Sequence, residues 1–250
     1  MGKVHSDEVV AVILAGGLGT RIKHLLPNLP KPMAPVRGRP CIEWLVRYLA
    51  GQGIRRILVS TGHLAEVIER HFALGPVSGV KVLCVPETRP LGTGGGFLHA
   101  VNASGEVAAG WLVLNGDTFA LADLAQATAT LDNKATAGAI FARAVADTSR
   151  YGSLVTDASG NLVRFEEKRP GEGLISGGVY LFRDELVRTF SNRIPLSLER
   201  DVFPALTSAG ALIKVLPMDT PFLDIGTPET LPAADPFIRD NLAWFGPSPL

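Results

Sequence analysis

Cysteine is scarce in this chain, with Cys41 and Cys84 the only two among 250 residues. Two isolated thiols exclude a disulfide framework and a thiolate metal cluster, and they are expected to be idle in a reducing cytoplasm. Long apolar runs are missing too: none approaches the roughly 20 residues of a membrane helix. The opening "MGKVHSDE" carries no apolar signal core. Net charge is the third absence, since 24 basic residues balance 24 acidic ones. A general nucleic-acid or membrane surface is therefore not expected, and any anionic ligand must be held locally. The five histidines are scattered, so no His/Cys metal set forms.

Two familiar phosphate motifs are also lacking. No glycine is followed by Lys-Ser or Lys-Thr, which excludes the P-loop, and a G-x-G-x-x-G reading of Gly17 and Gly19 fails at Ile22. A nicotinamide oxidoreductase fails with that fingerprint. Asp117 is followed by Thr118 and Phe119, which argues against the Asp-x-Asp metal motif of many glycosyltransferases.

What is present is apolar bulk, 46% of the residues, enough for a sizeable core. The β-branched run Val9–Leu14 predicts a buried parallel strand ending in glycine. Helical spacing over Cys41–Leu49 stops at Gly51 and Gly53. "RRILVS" (55–60) and "VKVLCVPE" (80–87) predict strands, with helices over Leu64–Phe72 and Phe97–Val101. "WLVLNGD" (111–117) is a fourth strand. This alternation predicts an α/β fold, a Rossmann-like mostly parallel sheet with helices on both faces.

After Thr136 the pattern changes. "TAGAIFARAV" is a strand, and Tyr151–Lys168 reads as a hairpin turning at "DASGN". Leu174–Phe182 is a strand interrupted by Gly177 and Gly178. Ser197–Leu206 reads as a helix, with "SLER" as a capping box. "ALIKVLPM" and "FLDIG" are expected to finish the sheet, and the proline-rich tail from Leu231 to be a short helix with a loose end. No repeat or long linker divides the chain, so one domain over 1–250 is expected.

The densest feature is "LAGGLGTR" (14–21), where glycine at 16, 17 and 19 follows the first strand. Bare backbone there brings N–H groups close to phosphates, although a tight strand–helix turn explains a lone glycine pair equally well. Arg21 and Lys31 lie nearby, and Pro30 and Pro32 stiffen the backbone around Lys31. Two fixed cations beside a ring of donors suit a polyphosphate and the charge that builds on an attacked phosphoryl group. Asp117 and Asp224 each follow an apolar stretch and read as strand-end carboxylates. Each alone fits a turn or cap equally well.

"LAGGLGTR" followed by "PKP" resembles the signature of the sugar-nucleotidyltransferases, which join a nucleoside triphosphate to a sugar 1-phosphate. Further motifs follow in that family's order: "PLGTGGG" (90–96), "LNGDT" (114–118), "FEEK" (165–168), "SGGVYLF" (176–182) and "FLDIGTPE" (222–229). The resemblance implies a GT-A-like nucleotidyltransferase fold, with a nucleotide-binding half over about 9–135, a sugar-phosphate half over about 136–231 and a tail over 232–250. It implies catalytic roles for Arg21 and Lys31. Leu14, Ala15, Gly16, Gly17, Gly19, Thr20, Gly92, Thr93, Gly94, Asn115 and Gly116 would bind the nucleotide, the base lying on the backbone of Gly94, Gly95 and Gly96. Gly152, Glu167, Lys168, Gly177 and Gly178 would hold the sugar phosphate, and Asp117 with Asp224 would hold Mg²⁺. The residues themselves stop at "nucleotide", since flat backbone accepts a purine or a pyrimidine.

"LPKPMAPVRGRP" and "GLISGGVYLF" look most like the D-glycero-α-D-manno-heptose 1-phosphate guanylyltransferases, which implies GTP as donor and a GDP-heptose product for capsule or lipopolysaccharide. Uridylyltransferases of N-acetylmuramic acid 1-phosphate and guanylyltransferases of mannose 1-phosphate share most of these strings and remain open. So does a non-catalytic sugar-nucleotide-binding protein, which retention of Arg21, Lys31, Asp117, Lys168 and Asp224 disfavours. Relatives suggest a homodimer, and the expected location is the cytoplasm.

Overall fold

The strand Val9–Ala15 (β1) runs through the middle of the molecule, and only Leu14 of its seven residues is not fully buried. Its side chains sort by parity. Val9, Ala11, Ile13 and Ala15 join one apolar cluster, while Val10 and Val12 join a second on the opposite face. A strand covered on both faces needs apolar residues at every position, which is why the sequence shows a run instead of an alternation. The structure is a computed structural model and describes residues 4–22, 24–167 and 170–246, with the backbone alone at 167.

After β1 a turn at Lys31–Met33 leads into a small hairpin of β2 (Pro35–Val36) and β3 (Arg39–Pro40). There follow α1 (Cys41–Gly51), β4 (Arg56–Thr61), α2 (Ala65–Ala73), β5 (Lys81–Pro86), α3 (Thr93–Ser104) and β6 (Gly110–Asn115). The strands lie in the order β6-β1-β4-β5, all parallel. This is the predicted alternation. The second half holds β7 (Thr118–Ala120), α4 (Leu124–Thr130), β8 (Thr136–Val145), the hairpin β9 (Gly152–Thr156) and β10 (Leu162–Glu167), and β11 (Gly173–Arg183). It closes with α5 (Asp184–Val187), α6 (Phe203–Ser208), β12 (Leu212–Pro217), β13 (Phe222–Asp224) and α7 (Ala234–Asp240). β11 runs antiparallel to β6 and joins β8, β9 and β10 to one nine-stranded sheet, with β12 parallel to β8.

Three expectations need correction. The third helix, which holds Phe97–Val101 as expected, is longer than expected: it begins at Thr93 and absorbs the glycine run. β13 does not finish the main sheet; it pairs with β7 in a separate two-stranded ribbon. The tail is docked, not loose, through residue 246. Phe245 is 3% exposed, with its ring 5.4 Å from Trp44 and 6.1 Å from Phe119. It covers the side of α1 that the sheet does not, so α1 is buried on nearly every side. Glu43 is buried there too, and its carboxylate accepts from Arg39 and Arg47 at 2.8 Å and meets His71 at 3.0 Å. A carboxylate withdrawn from water needs such partners.

Among the described residues no helix is long and apolar enough to cross a membrane.

Candidate active site

At the carboxyl end of β1 the chain leaves the sheet through the glycine-rich stretch and forms one wall of a cleft of about 470 Å³. Open α/β sheets place ligands at that end of their strands. Leu14 to Arg21 line it with Lys31, Gly92, Thr93, Asn115, Gly116 and Asp117. Gly19 has φ +58° and lies against Lys31, whose Cβ would be 3.1 Å from any Cβ added there. A side chain at 19 would be strained and would push Lys31 away, so this glycine sets the loop on the lysine. The Lys31 Nζ donates to Asp117 Oδ2 at 2.5 Å. The ammonium is therefore fixed at the floor of the cleft.

The ribbon of β7 and β13 explains how two distant aspartates meet. Asp224 is the register partner of Thr118, and the Ile225 N–H donates to the Asp117 carbonyl at 3.0 Å. Asp224 Oδ1 accepts from the Gly226 N–H at 2.6 Å. Burial raises the Asp224 carboxyl above its ordinary range, and the neighbouring charge of Asp117 raises it further; the Gly226 bond and Lys31 act in the other direction. Asp117 and Asp224 are the residues of this site that could hold a cation.

A second cleft, of about 210 Å³, opens on the far side of Asp117 and shares Arg21, Asn115, Asp117 and Gly226 with the first. Gly152, Gly177, Gly178 and Asp224 line it. Gly178 has φ +71°, and an added Cβ would lie 2.7 Å from Asn115 Nδ2. The register of β11 against β8 shifts between Ser176 and Tyr180, so the backbone at 177–178 bulges towards the cleft. The Glu167 backbone pairs with Gly152. The Glu167 side chain and Lys168 lie outside the described residues, so the expected grip on a sugar phosphate is not described.

Gly94 does not line either cleft, and here the reading of a flat glycine platform is corrected. The N–H groups of Gly94 and Gly95 donate to the Leu196 carbonyl at 2.9 and 3.1 Å, and that of Gly96 to Gly92. Gly94, Gly95 and Gly96 are buried in the first turn of α3, packed against Leu196, Leu91 and Glu87 respectively. The wall that faces the cleft is Pro90–Thr93.

Sequence reasoning missed Glu87, Arg150, Tyr151 and Glu199. Glu87 lines the first cleft, accepting from Ser60 Oγ at 2.8 Å and from the Leu91 N–H at 3.0 Å. Its signal was available: an acid directly after an apolar strand. Arg150 and Tyr151 line the second cleft, as does Glu199. The Ser197 cap is real, but Asp201, not Glu199, reaches back to the Ser197 N–H at 2.8 Å. Glu199 instead accepts from Thr93 Oγ1 and Ser197 Oγ at 2.9 and 2.8 Å and from Tyr180 Oη at 3.4 Å. The backbone around it is a π-helical turn, Leu198–Val202, a form frequent near functional sites. Burial holds the Tyr180 phenol well above its ordinary range, and the charge of Glu199 adds to this.

A glycine loop with two cations, two converging carboxylates and a pair of clefts meeting between them define an enzyme that transfers groups between phosphate esters. The chain belongs to the nucleotidyl transferase family, which it matches over residues 10–241, and within it to the sugar-1-phosphate nucleotidyltransferases. It is 33% identical to D-glycero-alpha-D-manno-heptose 1-phosphate guanylyltransferase of Campylobacter jejuni, over 88% of this chain and 95% of that one. It is 34% identical to mannose-1-phosphate guanylyltransferase of Mycobacterium tuberculosis, over 98% of this chain and 67% of that one. The crystal structure of HddC from Yersinia pseudotuberculosis complexed with GMP-PN superposes with a TM-score of 0.76 at 32% identity, covering 91% of this chain and 98% of that one. Family membership implies a nucleoside triphosphate and a sugar phosphate as substrates.

Proposed function

We propose that the protein is a sugar-1-phosphate guanylyltransferase acting on D-glycero-α-D-manno-heptose 1-phosphate, with GTP as donor and a GDP-heptose for surface glycan as product. The observation that carries the reading is the junction of the two clefts at Arg21, Asn115, Asp117 and Gly226. A nucleotide in the first cleft and a sugar phosphate in the second would meet there. An acceptor phosphate oxygen attacks the α-phosphorus, the bond to the bridging oxygen breaks, and pyrophosphate leaves with the electron pair. The attacking oxygen is already an anion, so no protein nucleophile is required, and the protein's work is positioning and charge neutralisation.

Gly16, Gly17 and Gly19 would cradle the triphosphate, Arg21 would take the departing β/γ-phosphates and Lys31 the α-phosphate. Gly152, Gly177 and Gly178 would let the sugar lie on backbone, with Glu167 on its hydroxyls and Lys168 on its phosphate. Asp117 and Asp224 fit Mg²⁺: they are hard oxygen donors, they repel one another without a cation, and Mg²⁺ commonly takes one or two carboxylates with substrate phosphates. Mg²⁺ there would supply charge neutralisation across the phosphates.

Glu87 supports a base with a ring N–H at its pairing edge. A carboxylate can accept from the N1–H and amino group of guanine or from uracil N3–H, whereas adenine and cytosine offer it only an amino group beside a ring nitrogen that is itself an acceptor. The near-full-length match to a heptose enzyme favours heptose over mannose. The test is pyrophosphate release with GTP, UTP, ATP and CTP against heptose, mannose, glucose and N-acetylmuramic acid 1-phosphates, with and without Mg²⁺. A maximum at GTP with the heptose phosphate, lost in Asp224→Asn, is expected. A maximum at another pair would replace the substrate assignment, and silence throughout would favour a binding protein.

A further inference from the structure

Most arginines of the described chain are committed: Arg39, Arg47, Arg56, Arg164, Arg188 and Arg239 to carboxylates, Arg55, Arg70, Arg143 and Arg183 to carbonyls, Arg150 to a tyrosine ring. Among the described residues three side chains have no such partner: Arg21, Arg89 and Arg193. Arg21 lies where the two clefts join. Arg89 and Arg193 together line a third cavity, of about 350 Å³, on the far side of the nucleotide wall, and Arg193 also borders a neighbouring one that holds Arg200 and Asp201.

That cavity is bounded by the loop after β5, by α3 and by residues 191–194. Its lining holds Arg89, Arg193 and His99 with the polar groups of Asn102, Ser191 and Asn192, and no aspartate or glutamate. The Nε2–H of His99 donates to the Pro86 carbonyl at 3.2 Å. Two guanidinium groups without acceptors, lining one concave surface free of acids, supply the planar donor forks that a phosphate group takes. We infer that this cavity binds a phosphate-bearing small molecule, and that its occupancy acts on the nucleotide cleft.

The route to the cleft is short. Leu91 lines both cavities. Its N–H donates to Glu87, and its carbonyl accepts from the Leu196 N–H at 2.9 Å. The Leu196 carbonyl in turn takes the N–H groups of Gly94 and Gly95. A phosphate bridging Arg89 to Arg193 ties together the two segments that this seam joins, one before Leu91 and the other before Leu196. Fixing them before nucleotide arrives removes part of the ordering cost, so the bound anion lowers the nucleotide's KM.

Inorganic phosphate is the probe, at constant ionic strength, with binding followed by ³¹P line broadening on wild type, Arg89→Gln/Arg193→Gln and Arg21→Gln. This readout needs no turnover and so does not depend on the proposed guanylyl transfer. Binding should persist in Arg21→Gln and weaken about tenfold or more in the double variant, as loss of charge-assisted hydrogen bonds requires. Binding that survives the double variant and is lost with Arg21 would move the anion to the nucleotide cleft and overturn the site, as would no binding at all. In turnover, phosphate should lower the KM of the nucleoside triphosphate about fivefold in wild type and leave the double variant, whose basal rate is unchanged, unaffected. A KM that stays level or rises in wild type would overturn the coupling. Glucose 6-phosphate in a parallel titration separates the carriers: binding tighter than free phosphate supports a phosphorylated metabolite, and weaker binding supports the free ion.

Discussion

Glu87→Gln is the substitution that most directly probes how a base is chosen. The carboxylate spends one lone pair of Oε1 on Ser60 and one of Oε2 on the Leu91 N–H, which leaves acceptor capacity for the cleft. Glutamine keeps the shape and changes the sign of that edge. The Leu91 N–H cannot turn away, so the amide oxygen must serve it. The amide nitrogen then falls beside Ser60, whose hydroxyl can reverse and accept. Its second N–H is left for the ligand. A base presenting N–H to this edge exchanges a charge-assisted hydrogen bond, worth about 1.5–3 kcal/mol, for a clash of donors. That corresponds to a loss of roughly 10- to 150-fold in kcat/KM for GTP and UTP. ATP and CTP, whose ring nitrogen at that edge is an acceptor for the new N–H, should lose much less. The assay is pyrophosphate release with each of the four nucleotides at subsaturating concentration. An equal fall for all four would show that Glu87 only supports the wall, and the reasoning about its free lone pairs would be refuted.

Lys31→Ala should lower kcat by about 100- to 1,000-fold, as removal of one charge-stabilising donor does; a rise in KM with kcat intact would make Lys31 a ground-state binder. Phe245→Ala should cost about 3 kcal/mol in denaturant unfolding, because its ring fills the space between Trp44 and Phe119; a loss under about 1 kcal/mol would mean the tail is not docked. Burial, with the charge of Glu69 adding to it, pushes the Cys84 thiol up to about 11. Only about a thousandth of it is thiolate at pH 8, against about a quarter for a free cysteine. Because the shift is upward, native-state alkylation by iodoacetamide should be slow at pH 8 and climb as pH approaches the raised value. Rapid labelling of Cys84 at pH 8 would contradict that environment.

The parallel core was legible because burial on both faces leaves an unmistakable mark: β1 is apolar at every position, and β4 and β6 carry apolar runs at 57–59 and 111–114. The glycine loop and the two aspartates were legible as strand-end chemistry. Other parts were hidden by rules that local sequence obeys only on average. Helix propensity offers no hint that α3 starts at Thr93, since the three glycines that follow are poor helix formers. The Leu196 carbonyl takes the N–H groups of Gly94 and Gly95 at the helix start, and Leu196, Leu91 and Glu87 occupy the space a Cβ would need at 94, 95 and 96. Glu199 matched a capping pattern so well that its bonds to Thr93 and Tyr180 went unseen, and those bonds depend on tertiary contact. The tail's prolines suggested a loose end, while its aromatic residues found α1. The Asp117–Asp224 pairing was anticipated, but its cause was not: the two-stranded ribbon is too short to announce itself.

That ribbon sets an order of assembly. Its first strand is made when the glycine loop and the parallel strands are already complete, and its second only after the whole of the mixed half has been synthesised. A nascent chain that stops before Phe222 would carry the cleft wall, the lysine and only one of the two aspartates that meet there. The cleft therefore closes late, when Phe222–Asp224 returns to Thr118–Ala120, and an unfinished protein holds the glycine loop before the second aspartate has reached it.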